Sequence, residues 1–236
     1  MLWYSTRGGA CSGDIDGGYQ VKENIHKIFE DWNETIVWSC LQGIMGGIHT
    51  NLSEDAAMAI LGDFAFFAGN PSEELIRFKP ESSKRDFIIM VPRNAMWADL
   101  IEKCYKDKAE KVIRYAIKKE ADIFDVEKLK QAAASLPDGY ELKVIQEAEY
   151  NMCQENGWAN DLVSQYKDYK YLQRVRLGCG YFKGLAYVSG AKLILECLKR
   201  DLYPSWDAQN KWSAALAEKL GYHFSHEYAA YEVTGY

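Results

Sequence analysis

No stretch of this chain approaches the roughly 20 consecutive apolar residues that a helix needs to cross a bilayer, and no membrane partner is expected. Its opening, MLWYSTRGGACSGD, lacks the apolar h-region of a secretory leader, so the expected location is the cytoplasm. Positive charge is short as well: 28 Lys and Arg stand against 34 Asp and Glu, a formal net charge of −6. Nucleic-acid binders draw most of their affinity from Lys and Arg set against phosphates, so no nucleic-acid partner is expected. A small anionic ligand stays open, because it needs only a local positive site. The six cysteines, Cys11, Cys40, Cys104, Cys153, Cys179 and Cys197, form no C-x-x-C pair and sit in apolar segments. That spacing argues against a disulfide framework or a zinc site and for buried, reduced thiols. None of the four histidines has metal spacing, since His223 and His226 on one strand would point to opposite faces; no metal is expected. A G-x-S-x-G elbow, a Walker loop and a dinucleotide fingerprint are all missing.

What is present is core material. The 236 residues are 48% hydrophobic and 14% aromatic, enough for one large domain or two small ones. After a Gly-rich start, YQVKENIHKIFEDW carries Val21, Ile25, Ile28 and Phe29 at helical spacing. Three β-like runs follow, TIVWSCLQ, IMGGIHTN and AAMAILGDFAFFAG, with turns at Gly46-Gly47 and Gly69-Asn70-Pro71. DFIIMVP reads as a buried strand and NAMWADLIEKCY as a helix capped by Asn94. KVIRYAIKK alternates like a strand, and DVEKLKQAAASL is a helix capped by Asp125 and stopped before Pro137. LPDGY, Leu136 to Tyr140, is the expected boundary between an N-terminal α/β domain, 1–136, and a second domain, 137–236. Beyond it YELKVIQ reads as a strand, EAEYNMCQEN and NDLVSQYKDYKYL as helices, and LGCGYF as a possible short strand. The helix of GYFKGLAYVSGAKLILECLKR, the strand LYPSWDA, the helix NKWSAALAEKL and the strand YHFSHEYAAYEV complete the chain. Alternating strands and helices of this kind predict an α+β (mixed α/β) fold, a mixed central sheet flanked by helices.

Two stretches carry candidate chemistry. In GYFKGLAYVSGAKLILECLKR a turn becomes an amphipathic helix whose Tyr187, Val188, Ala191, Leu193, Ile194, Cys197 and Leu198 form one apolar face. The free N–H groups and positive dipole end of its first turn suit an anion. Gly184 would allow close approach of a phosphate, and Lys183 would add charge. The same residues also describe an ordinary helix start. In SWDAQNKWSAALAEKLGY, Asn210 stands at a helix entrance, either as a plain N-cap or as a side chain for a ligand amide. Glu227 and Tyr228 on the last strand are the remaining acid–base groups of note.

The order of these pieces, helix-entry turn, helix, strand, Asn, helix, L-G-Y, strand, resembles the second half of a GNAT-type N-acetyltransferase. GLAYVSGAKLILECLKRDLYPSWDAQNKWSAALAEKLGYHFSHEYAAYEV is similar to the C-terminal pattern of the GNAT acetyltransferase family in which an N-terminal domain precedes the acetyltransferase domain. WSCLQGIMG, AILGDFAFFAG, DFIIMVP and RYAIKKE look like that N-terminal domain. The resemblance implies acetyl-coenzyme A (acetyl-CoA) as co-substrate and an amine of a small molecule or peptide as acceptor. It implies that Tyr181, Phe182, Lys183, Gly184, Leu185 and Ala186 form the turn that wraps the pyrophosphate, and that Asn210 contacts the pantetheine arm. Tyr181 stands where the family has Arg or Gln, and Ala217 where a tyrosine often serves as general acid. The family also places a central hairpin just before the turn. Here QRVRLGCGYFK has room for one strand at most, at about five or six residues per strand plus a turn. The implied cost is a gap in the sheet with unpaired strand edges. The alternative implied function is a non-catalytic binding protein of the same fold. No catalytic residue is named by the sequence, and nothing in it fixes an oligomeric state.

Overall fold

The computed structural model describes residues 2–6, 22–80, 86–142, 145–157, 159–163, 166, 168–170, 172 and 185–236. The fold is α+β, a mixed sheet flanked by helices. The chain forms two compact units, one of 10–114 with 227–236, the other of 1–9 with 115–226. Both sides of the expected boundary at 136 fall in the latter unit.

In the first of these units α1 (Glu23–Ile28) and α2 (Thr35–Leu41) precede β2 (Gly47–Thr50), β3 (Ala56–Leu61), β4 (Phe64–Gly69), α3 (Glu73–Arg77), β5 (Phe87–Pro92) and α4 (Ala95–Tyr105). The strands lie in the order β2-β3-β4-β5, antiparallel except for the parallel β4/β5 pair, and the last strand, β8 (Phe224–Thr234), pairs antiparallel with β5. All six residues of β3 are buried, as expected of a central strand covered on both faces. Met58, Phe67, Ile88, Met90, Trp97, Ile101, Tyr231 and Val233 form the core on one face. Trp97 donates its indole N–H to the Gly69 carbonyl at 3.0 Å, and Asn94 caps α4 by accepting from Trp97 N at 3.2 Å.

Two segments of this unit depart from the expected strands. TIVWSCLQ is helix α2, not a strand: Thr35, Ile36, Val37, Ser39 and Cys40 are all buried, without the in–out alternation of a half-buried strand. A short apolar run of this kind is ambiguous by periodicity alone, and packing on β3 decides it. AAMAILGDFAFFAG is two strands, because Gly62 at φ +58° lets the chain reverse into a β3/β4 hairpin.

The other unit contains β1 (Leu2–Thr6), part of β6 (Ala109–Ile117), α5 (Val126–Ala134), α6 (Glu147–Glu155), α7 (Ala186–Leu198), β7 (Leu202–Ala208) and α8 (Lys211–Lys219). Strand β7 pairs antiparallel with β1 over Leu202 to Trp206, and with β6 through Asp207 and Ala208, opposite Ala116 and Tyr115. Strand β1 has no counterpart in the sequence reading, where these residues belong to a Gly-rich start. Leu2 to Thr6 run alongside Trp206 to Leu202, so that side of β7 is paired. YELKVIQ is not a strand in its described residues; Gln146 instead opens α6 in a capping box with Glu149. In NDLVSQYKDYKYL the described secondary structure includes a 3-10 turn, Asn160–Leu162. LGCGYF, and with it the shortened segment, lies outside the described residues.

Helices α7 and α8 pack together against β7 around Ile194, Trp206, Ala214, Ala217, Leu220 and Tyr222. Gly190 makes the close approach possible: a Cβ there would lie 2.7 Å from Leu220 Cδ1 and 3.5 Å from Trp206 Cζ3. Trp206 donates its indole N–H to Ser213 Oγ at 3.1 Å, and the buried Tyr222 hydroxyl donates to the Pro204 carbonyl at 2.5 Å. Among the described residues no helix is long and apolar enough to cross a membrane.

Candidate functional site

Strand β7 is the axis of the candidate site. Only 199–201 separate the end of α7 from the start of β7, so the packed pair runs antiparallel. Thirteen helical residues rise about 20 Å and seven strand residues about 23 Å, which returns the start of α7 to the level of the end of β7. Two residues later α8 begins. Both helix N-termini are therefore at the C-terminal end of one strand.

At the start of α7 the N-cap residue is Leu185, whose apolar side chain makes no capping bond. The helix's first backbone bond is Ser189 N to the Leu185 carbonyl at 2.8 Å. The earlier N–H groups of the first turn have no acceptor within the helix, as at any helix start. No acidic side chain lies in the first turn of α7 or of α8 to compete for their positive ends. Of the expected turn residues, Leu185 is buried and Ala186 begins the helix. Tyr181, Phe182, Lys183 and Gly184 lie outside the described residues.

Asn210 combines its two readings. Its Oδ1 accepts from Ser213 N at 2.9 Å, a helix N-cap. That bond uses only the oxygen, and the side-chain NH2 group still carries two donors on an exposed residue. Ala217, by contrast, is fully buried in the α7/α8 core and brings no proton donor.

One pairing escaped the sequence reading because its members are far apart in the chain. His223 Nδ1 lies 2.7 Å from Glu120 Oε2, a carboxylate-oriented imidazole. Beside it the Tyr203 hydroxyl accepts from Glu120 N at 3.1 Å and donates to the Lys118 carbonyl at 3.2 Å. Burial, more than the neighbouring carboxylate, raises the Tyr203 hydroxyl above its ordinary range. Tyr203 is at the beginning of β7, whereas Asn210 follows its end. The imidazole thus stands nearly a strand's length from the helix starts, too far to share their chemistry. Glu227 is exposed on β8 and Tyr228 half-buried there. Among the described residues no cluster of His, Cys, Asp and Glu is placed to hold a metal ion.

The sequence pattern described as GNAT acetyltransferase matches residues 26–183 and 182–231. A crystal structure of a GCN5-related N-acetyltransferase-like protein from Streptococcus suis superposes with a TM-score of 0.80 at 34% identity. The likeness covers 89% of this chain and 98% of that one. The chain belongs to the GNAT acetyltransferase family. An acetyltransferase function in general comes with that membership. A Drosophila protein gives a TM-score of 0.43 at 12% identity over 76% of this chain and 74% of that one, too slight a likeness to bear on function. No curated protein matches.

Proposed function

We propose that the chain is an acetyl-CoA-dependent N-acetyltransferase, in which the amine of a small molecule or peptide attacks the thioester directly in a ternary complex. Tyr181, Phe182, Lys183, Gly184, Leu185 and Ala186 would wrap the pyrophosphate, and the Asn210 NH2 group would donate to the pantetheine arm. The observation that carries this reading is the meeting, at the C-terminal end of β7, of the start of α7 with Asn210. Two helix dipoles, with the first-turn N–H groups of α7 that have no acceptor inside their own helix, favour a diphosphate there. Held in line, amine and thioester gain most of their acceleration from proximity and from polarisation of the carbonyl. The acetyltransferase part is assigned to 137–236, and the expected setting is the cytoplasm.

Calorimetry with acetyl-CoA tests the reading. Binding in the micromolar to millimolar range is expected, and Gly184→Glu should abolish it by setting a carboxylate against the pyrophosphate. No heat at millimolar ligand would sink the proposal. A second reading, binding without catalysis, is favoured by one observation: the two family-matched segments abut at 182–183, where the family's central strands would enter. Acetyl-CoA binding with no acetyl transfer to any amine in a broad acceptor panel would select it.

A further inference from the structure

Of the tryptophans whose burial the structure describes, Trp97 and Trp206 are buried and Trp32 and Trp38 half-buried, but Trp212 is 83% exposed. It is the second residue of α8, directly after Asn210 and Lys211. Among the described residues no ring stacks on its indole, and no carboxylate pairs with the exposed Lys211 beside it. Tryptophan is on average a well-covered residue, and an indole left in water is a flat π-face open to a partner. Its backbone is firmly held. Asn210 Oδ1 accepts from Ser213 N at 2.9 Å, and Ser213 Oγ accepts the Trp206 indole N–H at 3.1 Å, which pins this turn to β7. A side chain with only two rotatable bonds on a pinned turn offers a preformed surface.

Its surroundings decide the partner. The function proposed above sets a diphosphate at the starts of α7 and α8 and the pantetheine arm on Asn210. In coenzyme A one ribose joins that diphosphate to adenine and carries a further phosphate at its 3′ position. The base must therefore rest on surface bordering the helix starts. Among the described residues at the start of α7 there is no open ring: Leu185 is buried, and Tyr187 is half-buried against the α7/α8 core. At the start of α8 there is Trp212, with the Lys211 ammonium next to it in the chain as a point charge for a phosphate. We propose that Trp212 is the platform on which the adenine of acetyl-CoA stacks, with Lys211 set against the ribose 3′-phosphate. This rests on the acetyl-CoA reading above and adds the residues that tell the nucleotide end of the co-substrate from a bare pantetheine thioester. A π-face takes any base, so affinity here comes from stacking and salt-sensitive charge attraction rather than from hydrogen bonds to the base edge.

The test is calorimetry on the full chain with acetyl-CoA, 3′-dephospho-acetyl-CoA and S-acetyl-4′-phosphopantetheine, which lacks the nucleoside. Trp212→Leu should weaken acetyl-CoA about tenfold or more and leave S-acetyl-4′-phosphopantetheine unchanged. Trp212→Tyr, which keeps a ring, should stay within about threefold of the parent. Lys211→Met should weaken acetyl-CoA about threefold at low salt and the dephospho ligand not at all. Both side chains are exposed, so the urea midpoint of every variant should match the parent's and a lost affinity is not a lost fold. Equal acetyl-CoA affinity in Trp212→Leu and the parent overturns the platform, as does an equal loss in Trp212→Leu and Trp212→Tyr. A Lys211→Met variant that weakens both nucleotide ligands alike overturns the phosphate contact. No acetyl-CoA binding by the parent overturns instead the function on which the inference rests.

Discussion

Gly190 sits where α7, α8 and β7 press together, and its replacement by alanine sets two effects of opposite sign against each other. In a helix interior Ala is better than Gly by about 1 kcal/mol. The added methyl, however, would stand 2.7 Å from Leu220 Cδ1, well inside the roughly 4.0 Å at which two carbons pack best. Leu220 is buried, and the Trp206 indole lies 3.5 Å from the same added atom, so the space beside the contact is already filled. Forcing a methyl into a filled core costs about 1–3 kcal/mol. Packing should therefore win, leaving Gly190→Ala less stable by about 1 kcal/mol; Gly190→Leu, with three more carbons to place, should lose about 3 kcal/mol or more. Urea unfolding at constant m-value reads both. Because the relief requires α7 to move away from α8, acetyl-CoA affinity should also fall, since the two helix starts no longer keep their spacing. A Gly190→Ala variant more stable than the parent by the helix-propensity gain would refute the packing argument.

Asn210→Ser separates cap from ligand contact: serine caps as well as asparagine, so stability should hold within a few tenths of a kcal/mol. Acetyl-CoA affinity should drop about five- to tenfold for one lost donor, by calorimetry. Burial pushes the Cys40 thiol up from its ordinary 9.0 to about 12. A raised folded-state value means the contribution is whole below the unfolded pKa near 9 and is lost as pH climbs toward 12. Alkaline unfolding should steepen across that window, by up to about 4 kcal/mol in total, and Cys40→Ala should flatten it. In the native chain at pH 8, Cys40 should resist a thiol reagent that labels it at once after denaturation.

Much of the fold was legible because it is written locally. Asn94, Asp125 and Asn210 each announce a helix start, and each accepts the expected N–H from three residues on. The strands β5, β6, β7 and β8 follow from apolar runs bounded by breakers. The misreadings occur where local signals tie. TIVWSCLQ satisfies a buried strand and a buried helix equally, and only its neighbours choose. The hairpin at Gly62 hides inside an apolar run because a single left-handed glycine makes the turn. Residues 2–6 carry a strand only by virtue of β7, for a lone strand has no partner for its backbone groups and no face to bury.

The sequence by itself determined the order of elements after Ala186, the place of Asn210 at a helix entrance and the family likeness, because each depends on neighbouring residues or on type and spacing. The tertiary structure alone decided which ends come together. The antiparallel return of β7 along α7 puts two helix starts at one end of a strand and Tyr203, Glu120 and His223 at the other. The same pairing brings residues 2–6 across more than a hundred and ninety positions of chain to the edge of β7. Such meetings are set by long-range packing and backbone pairing, whose energies lie in contacts no local window of sequence contains.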